Sequence, residues 1–437
     1  ASMTTTSFGI RGLINYQFGE IAKYYREHEN VLELIGTSVM NLNQGGRYST
    51  AIEHLFDILD YIDTNKLETD PFTYTKQIDQ IISKNISSKE DKRKYAAELS
   101  FVKGKLLKSS KPNDAEKEFE NAAKEFSKLE LFNKHAEAQV EWAELVRNQS
   151  LKKSEKLLKE AIESARRGTS QRELGLAQIS LAKNNRISAK LNEAKVLEKN
   201  GFEVLEASGN KLETAEYYVE MSRIIALTST NENELKTAVE YATKASKLFD
   251  EIDHKYGKTV ALFMQGFNRV AKGFREGLSM IKLTSINLKR LRKNDQIEYI
   301  NSNATYLVDS LATDSDEEVI PVLENTTKNL HPLEEGNLYH LAGILRYQTN
   351  NDEGLKLINE SIDILKKFVK KNKEYRIFLD VATERAQSMQ QSVSGSSQME
   401  NKGASTTITD STQSAGLKSG VKQPKMKTKG GPDLSKK

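Results

Sequence analysis

The sequence contains no cysteine, only six prolines and no long apolar run. Without cysteine there are no disulfides, thiolate zinc ligands or cysteine nucleophiles, which suits a reducing compartment and predicts a cytoplasmic, intracellular protein. Only four of the prolines lie in the first 391 residues. Because proline breaks or kinks a helix when it lies in its interior, long helices are permitted almost everywhere in this part of the chain. No stretch approaches the roughly 20 apolar residues that span a bilayer, so we expect no transmembrane segment.

The basic charge of the chain belongs to its end. The net charge is +4, but residues 392–437 carry eight lysines against three acidic residues, which leaves the preceding body at −1. This segment is rich in Ser, Thr and Gly, and it has too few large apolar side chains to offset the entropy of ordering. It therefore predicts a disordered tail, either solubilising or able to contact an acidic partner.

Motifs of catalysis and metal binding are missing. The six histidines are dispersed, and no H-E-x-x-H pair occurs. A G-x-S-x-G elbow, a G-x-x-x-x-G-K-[ST] loop and a G-x-G-x-x-G turn are also absent from the sequence. We therefore predict a protein that is not an enzyme, with no catalytic residues, no cofactor and no metal.

Helical periodicity is what the sequence has in abundance. In "PNDAEKEFENAAKEF", residues 112–126, Ala115, Phe119 and Ala122 share one helical face in the order small, large, small. Similar stripes recur along the chain with a period near 40 residues. Their first positions are Ala115, Ser154, Ala194 (in an imperfect unit), Ala238, Gly277, Val319 and Gly354.

A second small residue precedes several of these stripes by eleven positions. It is Gly104, Ala143, Gly266 or Gly343, where a small side chain lets two helices approach closely. Between the two helices of a pair lie turn signals such as "RNQS", "STNENE" and "QTNNDE", which supply Asn or Ser for an N-cap. The pattern predicts antiparallel helix pairs in tandem.

This layout resembles the tetratricopeptide-repeat family, and more closely its relatives with repeats of about 40 residues, such as the SNAP adaptors or the Rap-type peptide-sensing regulators. The aromatic and Leu-Gly signature of the family's first helix is not kept. The resemblance implies an all-α, right-handed superhelical solenoid with a disordered C-terminal tail. We expect an N-terminal capping region at 3–94, repeats at 95–370, a C-terminal capping helix at 371–391 and the tail at 392–437.

Such an array offers a concave groove built mainly from the first helix of each pair. The resemblance therefore implies an interaction scaffold or adaptor that binds a partner peptide or helix. The candidate groove residues, chosen for polar or aromatic ends on first helices, are Arg269, Tyr339, His340, Arg346 and Tyr347. The oligomeric state stays open.

The alternative function is nucleic-acid binding through a basic surface at 269–293 and the lysine-rich tail. Glu276 is the one acid between Arg269 and Lys293. A solvated helix face explains the same run, and aromatic side chains for base stacking are not interleaved with it. The basic candidates are Arg269, Lys272, Arg275, Lys289, Arg290, Arg292 and Lys293.

Overall fold

The chain is a succession of antiparallel helix pairs. The structure, a computed structural model, describes residues 2–25, 27–65, 67, 69–274, 276–292 and 330–403. Within these residues there is no β-strand and there are seventeen α-helices. The first eight are α1 (Ser2–Tyr24), α2 (His28–Gln44), α3 (Tyr48–Asn65), α4 (Pro71–Asn85), α5 (Lys89–Leu107), α6 (Pro112–Lys128), α7 (Phe132–Val146) and α8 (Leu151–Arg167).

The helix pairs continue to the end of the described chain. The remaining helices are α9 (Gln171–Ile187), α10 (Leu191–Ala207), α11 (Lys211–Thr228), α12 (Glu232–Glu251), α13 (Lys255–Ala271), α14 (Glu276–Arg292), α15 (Pro332–Tyr347), α16 (Asn351–Val369) and α17 (Arg376–Gly403). We call α5, α7, α9, α11, α13 and α15 first helices, and the helix that follows each of them a second helix. Each first helix packs against its second helix, and α7, α9, α11 and α13 also pack side by side.

The small–large–small stripes form the interior of these pairs. Ala115, Phe119 and Ala122 have no exposed surface, and Phe119 packs against α5. A Cβ atom on Gly104 would lie only 2.7 Å from Phe119 Cδ1, so glycine sets the close approach of α5 to α6. The stripes at 154–161, 238–245, 277–284 and 354–361 are buried as well. The stripe that begins at Val319 lies outside the described residues.

The imperfect stripe at Ala194 has a physical explanation. Its large position holds Glu198, a buried carboxylate that accepts a hydrogen bond from Arg186 Nη2 at 2.9 Å. Arg186 has no exposed surface and also donates to Glu234 at 2.7 Å. This unit therefore replaces an apolar contact by a buried ion-pair cluster, whose charges need one another to be tolerated inside the protein.

Polar turn residues begin several of the helices. Ser150, Asn231 and Asn350 each accept a hydrogen bond from a backbone N–H in the first turn of the helix that follows. The apolar core is continuous from α7 to α17, and two smaller clusters extend it through α5 and α6 to the N-terminal helices. The fold is thus an all-α solenoid of antiparallel helix pairs. The chain divides into two units after Gln391.

Candidate functional site

The side-by-side first helices carry a row of charged side chains that alternates in sign from helix to helix. We call these residues the first-helix charge row: Glu137 and Glu144 on α7, Arg172 and Lys183 on α9, and Glu213 and Glu220 on α11. Two sets of contacts cross the three helices. One set lies at their N-terminal turns and the other nearer their C-terminal ends.

Arg172 connects the three helices at their N-terminal turns. Its guanidinium binds Glu213 through two hydrogen bonds, Nε to Oε2 at 2.8 Å and Nη2 to Oε1 at 2.6 Å. On the other side, Arg172 Nη1 lies 3.6 Å from Glu137 Oε1. Two-point binding fixes the orientation of both planar groups, which is why arginine suits this position. Burial raises the pKa of Glu137, and Arg172 opposes that rise.

Glu144 is the centre of the second set. Its carboxylate accepts hydrogen bonds from Arg147 Nη2 at 2.6 Å and from Ser180 Oγ at 2.5 Å. Lys183 Nζ lies 3.7 Å from Glu144 Oε1 and 4.6 Å from the centre of the Tyr217 ring. Burial opposes ionisation of Glu144, but Arg147 and Lys183 hold its pKa well below the usual range. Burial lowers the pKa of Lys183.

Helix α11 completes the row, and some of its polar atoms lack a hydrogen-bond partner. Glu220 Oε2 accepts from Arg223 Nη2 at 3.2 Å, whereas Glu220 Oε1 and Arg223 Nε are buried without a hydrogen-bond partner. Gln178 Oε1 on α9 is also buried without a hydrogen-bond partner. Buried polar atoms are nearly always hydrogen-bonded, so these unbonded donors and acceptors on neighbouring helices make the region a candidate ligand site.

The C-terminal helices return to the ends of α7 and α11. Asn148 Nδ2 donates to Glu334 Oε1 of α15 at 2.9 Å, and the Tyr375 hydroxyl donates to the carbonyl of Arg147. Arg385 of α17 donates to the carbonyl of Ser229 at 2.9 Å. Burial raises the pKa of Glu334. The second set of the charge row therefore lies beside α15, and the set around Arg172 lies at the opposite ends of the helices.

The candidate groove residues on α15 are used in packing. Tyr339 is buried, and His340 has no exposed surface. His340 Nε2 lies 3.2 Å from Arg385 Nη1, and burial together with the Arg385 charge lowers its pKa well below the ordinary value. Arg346 Nε binds Glu353 of the paired helix at 2.5 Å, and the Tyr347 hydroxyl donates to the carbonyl of Met389 at 2.8 Å. Their part in partner binding stays a prediction.

The basic candidates lie elsewhere. Arg269 is half-buried near the end of α13, and Lys272 Nζ lies 3.6 Å from Glu232 Oε1 and 5.1 Å from the Phe274 ring centre. Three more belong to α14, and only their backbone is described: Lys289, Arg290 and Arg292. Arg275 and Lys293 lie outside the described residues. Neither Arg269 nor Lys272 belongs to the first-helix charge row, and the basic surface stays a prediction.

Sequence reasoning missed the first-helix charge row. One signal was present: Glu144, Lys183 and Glu220 recur at nearly the repeat period, with the sign changing each time. A charged residue on an amphipathic helix usually means solvent exposure, so burial of these groups requires the neighbouring helices to be known. Among the described residues, no helix is long and apolar enough to cross a membrane. The same residues contain no cluster of three or more Asp, Glu or His side chains that could hold a metal ion.

Comparison with known proteins identifies the fold. No protein-family model matches the sequence, and no curated protein matches it. Among solved structures, the chain is similar to a Rap protein complexed with competence and sporulation factor, with 12% sequence identity and a TM-score of 0.52. The match covers 82% of this chain and 99% of the Rap chain. At this identity the likeness concerns the fold, a helical-repeat solenoid.

Proposed function

We propose that the protein is a non-enzymatic interaction scaffold or adaptor that binds a peptide segment or helix of a partner along its first helices. The observation that carries this proposal is the first-helix charge row, with unbonded polar atoms on its member Glu220 and on the neighbouring Gln178 and Arg223. These atoms include both acceptors and a donor. A peptide has both kinds of group along its backbone, so it can satisfy them together.

The row is held in place before any ligand arrives. Arg172 and Glu144 each have partners on a neighbouring helix, so their side chains have little rotational freedom to lose on binding. Preorganisation of this kind raises affinity because less entropy is lost on association. The Rap protein of similar fold is complexed with competence and sporulation factor, and that similarity also supports a binding role. An intracellular location is part of the proposal.

The mixed charge of the row distinguishes a peptide from a nucleic acid. Glu137, Glu144, Glu213 and Glu220 would repel phosphates, and the two cations between them are already paired with these acids. We therefore expect ligand binding at the row to change little with salt. A nucleic acid on the 269–293 run would instead show a steep log–log slope, near −0.7 to −0.9 per phosphate contact.

The test is a selection of phage-displayed random peptides on immobilised full-length protein, followed by measurement of the enriched peptides on two variants. Arg223→Gln removes a charge beside the row. Arg166→Gln removes an exposed arginine of the second helix α8, paired with Glu163 at 2.8 Å, and serves as the matched control. We expect Arg223→Gln to weaken binding at least about tenfold, which is about 1.4 kcal/mol, and Arg166→Gln to leave it unchanged.

Two results would contradict the proposal. One is that no peptide is enriched, and the other is that enriched peptides bind Arg223→Gln as well as they bind the wild type. Circular dichroism of both variants checks that the helices are intact. A parallel titration with a labelled single-stranded oligonucleotide at low and moderate salt tests the nucleic-acid alternative.

A further inference from the structure

Helix α1 carries its large apolar side chains on the outside of the molecule. Ile10, Leu13, Ile14, Phe18 and Ile21 are each between 38% and 54% exposed. They recur at steps of three and four residues, so they form one stripe along the helix. The stripe extends over twelve residues, from Ile10 to Ile21, which is about 16 Å of helix. We call it the α1 stripe.

The opposite face of α1 contacts α2 through glycines, and Tyr16 and Ala22 are packed inward on the same side. A Cβ atom would lie 2.7 Å from Leu42 Cγ if placed on Gly12, and 2.6 Å from Ile35 Cγ1 if placed on Gly19. Helix α1 therefore packs tightly on α2 through its smallest residues and directs its largest apolar residues outward. This arrangement is the reverse of an ordinary amphipathic surface helix, whose apolar face is turned to the core.

The area of the α1 stripe is large enough for an interaction surface. Five large apolar side chains, each roughly half exposed, form a contiguous patch of roughly a few hundred Å², the size of the largest patches on monomeric proteins, which are often functional. The patch is smaller than the roughly 800 Å² that each partner contributes to a standard interface. We therefore expect a contact through α1 alone to be weak, with dissociation in roughly the micromolar range.

We propose that the α1 stripe pairs with the same stripe of a second copy of this chain, in an antiparallel dimer. Four of the five apolar positions read alike in both directions about a midpoint between Asn15 and Tyr16, whereas Ile14 falls opposite Gln17. A two-fold axis there places Ile10 opposite Ile21 and Leu13 opposite Phe18. Such self-complementarity is what a two-fold interface between identical chains requires.

The charges of α1 are compatible with this pairing. Arg11 is exposed beside the stripe, and Glu20 and Lys23 form an ion pair at 2.6 Å within the helix. In the antiparallel pair the two copies of Arg11 are offset by nine residues, about 13 Å along the axis, which is beyond the screening length at physiological salt. Like charges therefore do not oppose one another. This dimer is independent of the peptide binding proposed above.

The first test is sedimentation equilibrium of the full chain between about 1 and about 200 µM, the range in which a small interface associates. We expect wild type to dimerise and Phe18→Glu to stay monomeric. The matched control is Val196→Glu, which places the same charge at a side chain of α10 that is 59% exposed, and it should dimerise like wild type. A wild-type protein that stays monomeric would overturn the proposal, whether or not the monomer binds lipid vesicles through the α1 stripe. A Phe18→Glu variant that still dimerises would also overturn it.

The second test determines whether the two α1 helices pair antiparallel or parallel. The chain has no cysteine of its own, so only the introduced cysteine can be cross-linked. Two copies of a cysteine at Gln17→Cys lie three residues apart along an antiparallel pair, about 4.5 Å, whereas two copies at Ser7→Cys lie about 25 Å apart. We expect a short bismaleimide to cross-link Gln17→Cys and not Ser7→Cys. Cross-linking of both positions would indicate a parallel pair and would overturn the antiparallel arrangement.

Discussion

The two ends of the described array are finished in opposite ways. At the C-terminal end, α17 buries Phe378, Val381 and Ala382 and exposes polar residues, among them Asp380 and Glu384. At the N-terminal end, α1 presents the α1 stripe to the outside and turns its glycines to α2. A terminal helix with a polar outer face closes a repeat array, whereas an apolar outer face leaves one more layer to be added.

The difference shows that a repeat array does not need the same solution at both ends. The C-terminal end is completed within the chain, because Tyr375 and Arg385 bind backbone carbonyls in the middle of the array. The N-terminal end keeps an apolar surface that the described chain leaves exposed. The C-terminal end of the array is therefore closed by α17, whereas the N-terminal end is the one that we propose associates through α1.

The largest effect should come from matched phenylalanines at the two ends. Phe378→Ala removes a side chain that is 1% exposed in the main core, and we expect it to cost about 3–5 kcal/mol of unfolding free energy. Phe18→Ala removes a side chain that is 54% exposed, and below the dimerisation range it should cost less than about 1 kcal/mol. Urea unfolding followed by circular dichroism measures both, and equal losses would remove the contrast between the ends.

A pair of glycines tests the close contact behind the α1 stripe. Gly19→Ala forces α1 away from Ile35, so we expect a loss of about 1–3 kcal/mol. Gly36→Ala lies in α2, where a Cβ atom would meet no atom within 4 Å, so it should stabilise by about 0.5–1 kcal/mol. Hydrogen exchange of α1 and α2 reports both changes. Similar behaviour of the two variants would show that α1 does not rest on its glycine face.

The C-terminal end should be sensitive to acid through His340. Burial and Arg385 lower its pKa in the folded protein, so the unfolded chain binds the proton more readily. Stability from this group is complete above pH about 6.5 and falls as the pH drops below that value. Between pH 7.5 and 5.5 we expect wild type to lose about 1 kcal/mol more than His340→Gln in urea unfolding. Parallel losses would show that His340 is not the group that titrates.

The smallest effect on stability should come from the outer face of α17. Asp380→Leu combined with Glu384→Leu changes two exposed residues, one of them in an exposed ion pair with Arg376, so unfolding should shift by less than about 0.5 kcal/mol. The variant should nevertheless self-associate, because α17 then resembles α1. Light scattering coupled to size-exclusion chromatography measures this. Asp380→Asn with Glu384→Gln is the control that should remain as wild type.

The sequence was sufficient to predict the fold because the information is local. The stripe of Ala115, Phe119 and Ala122 and the glycine at Gly104 are constraints between adjacent helices, and such constraints recur with the repeat. The buried Glu198 explains why one unit departs from the pattern, since an ion pair with Arg186 takes the place of an apolar contact.

The site could not be predicted in the same way because its contacts are distant in sequence. Lys183 meets Glu144 across two first helices, and Asn148 meets Glu334 across 186 residues. The apolar positions of α1 follow helical spacing, but the sequence does not show which side faces inward. That depends on α2, whose Ile35 and Leu42 fit against the glycines and leave the α1 stripe outside.

The bond from Tyr375 to the carbonyl of Arg147 joins residues 228 positions apart. In a linear array each repeat depends on its neighbours only, and folding can spread from any point. This contact closes a loop within the array, so we expect the last helices to reach their native place only after the middle repeats have formed. Contacts of such long sequence separation slow folding, because chain entropy is lost before they form. During synthesis we therefore expect the C-terminal helices to fold last, by packing on repeats that have already formed.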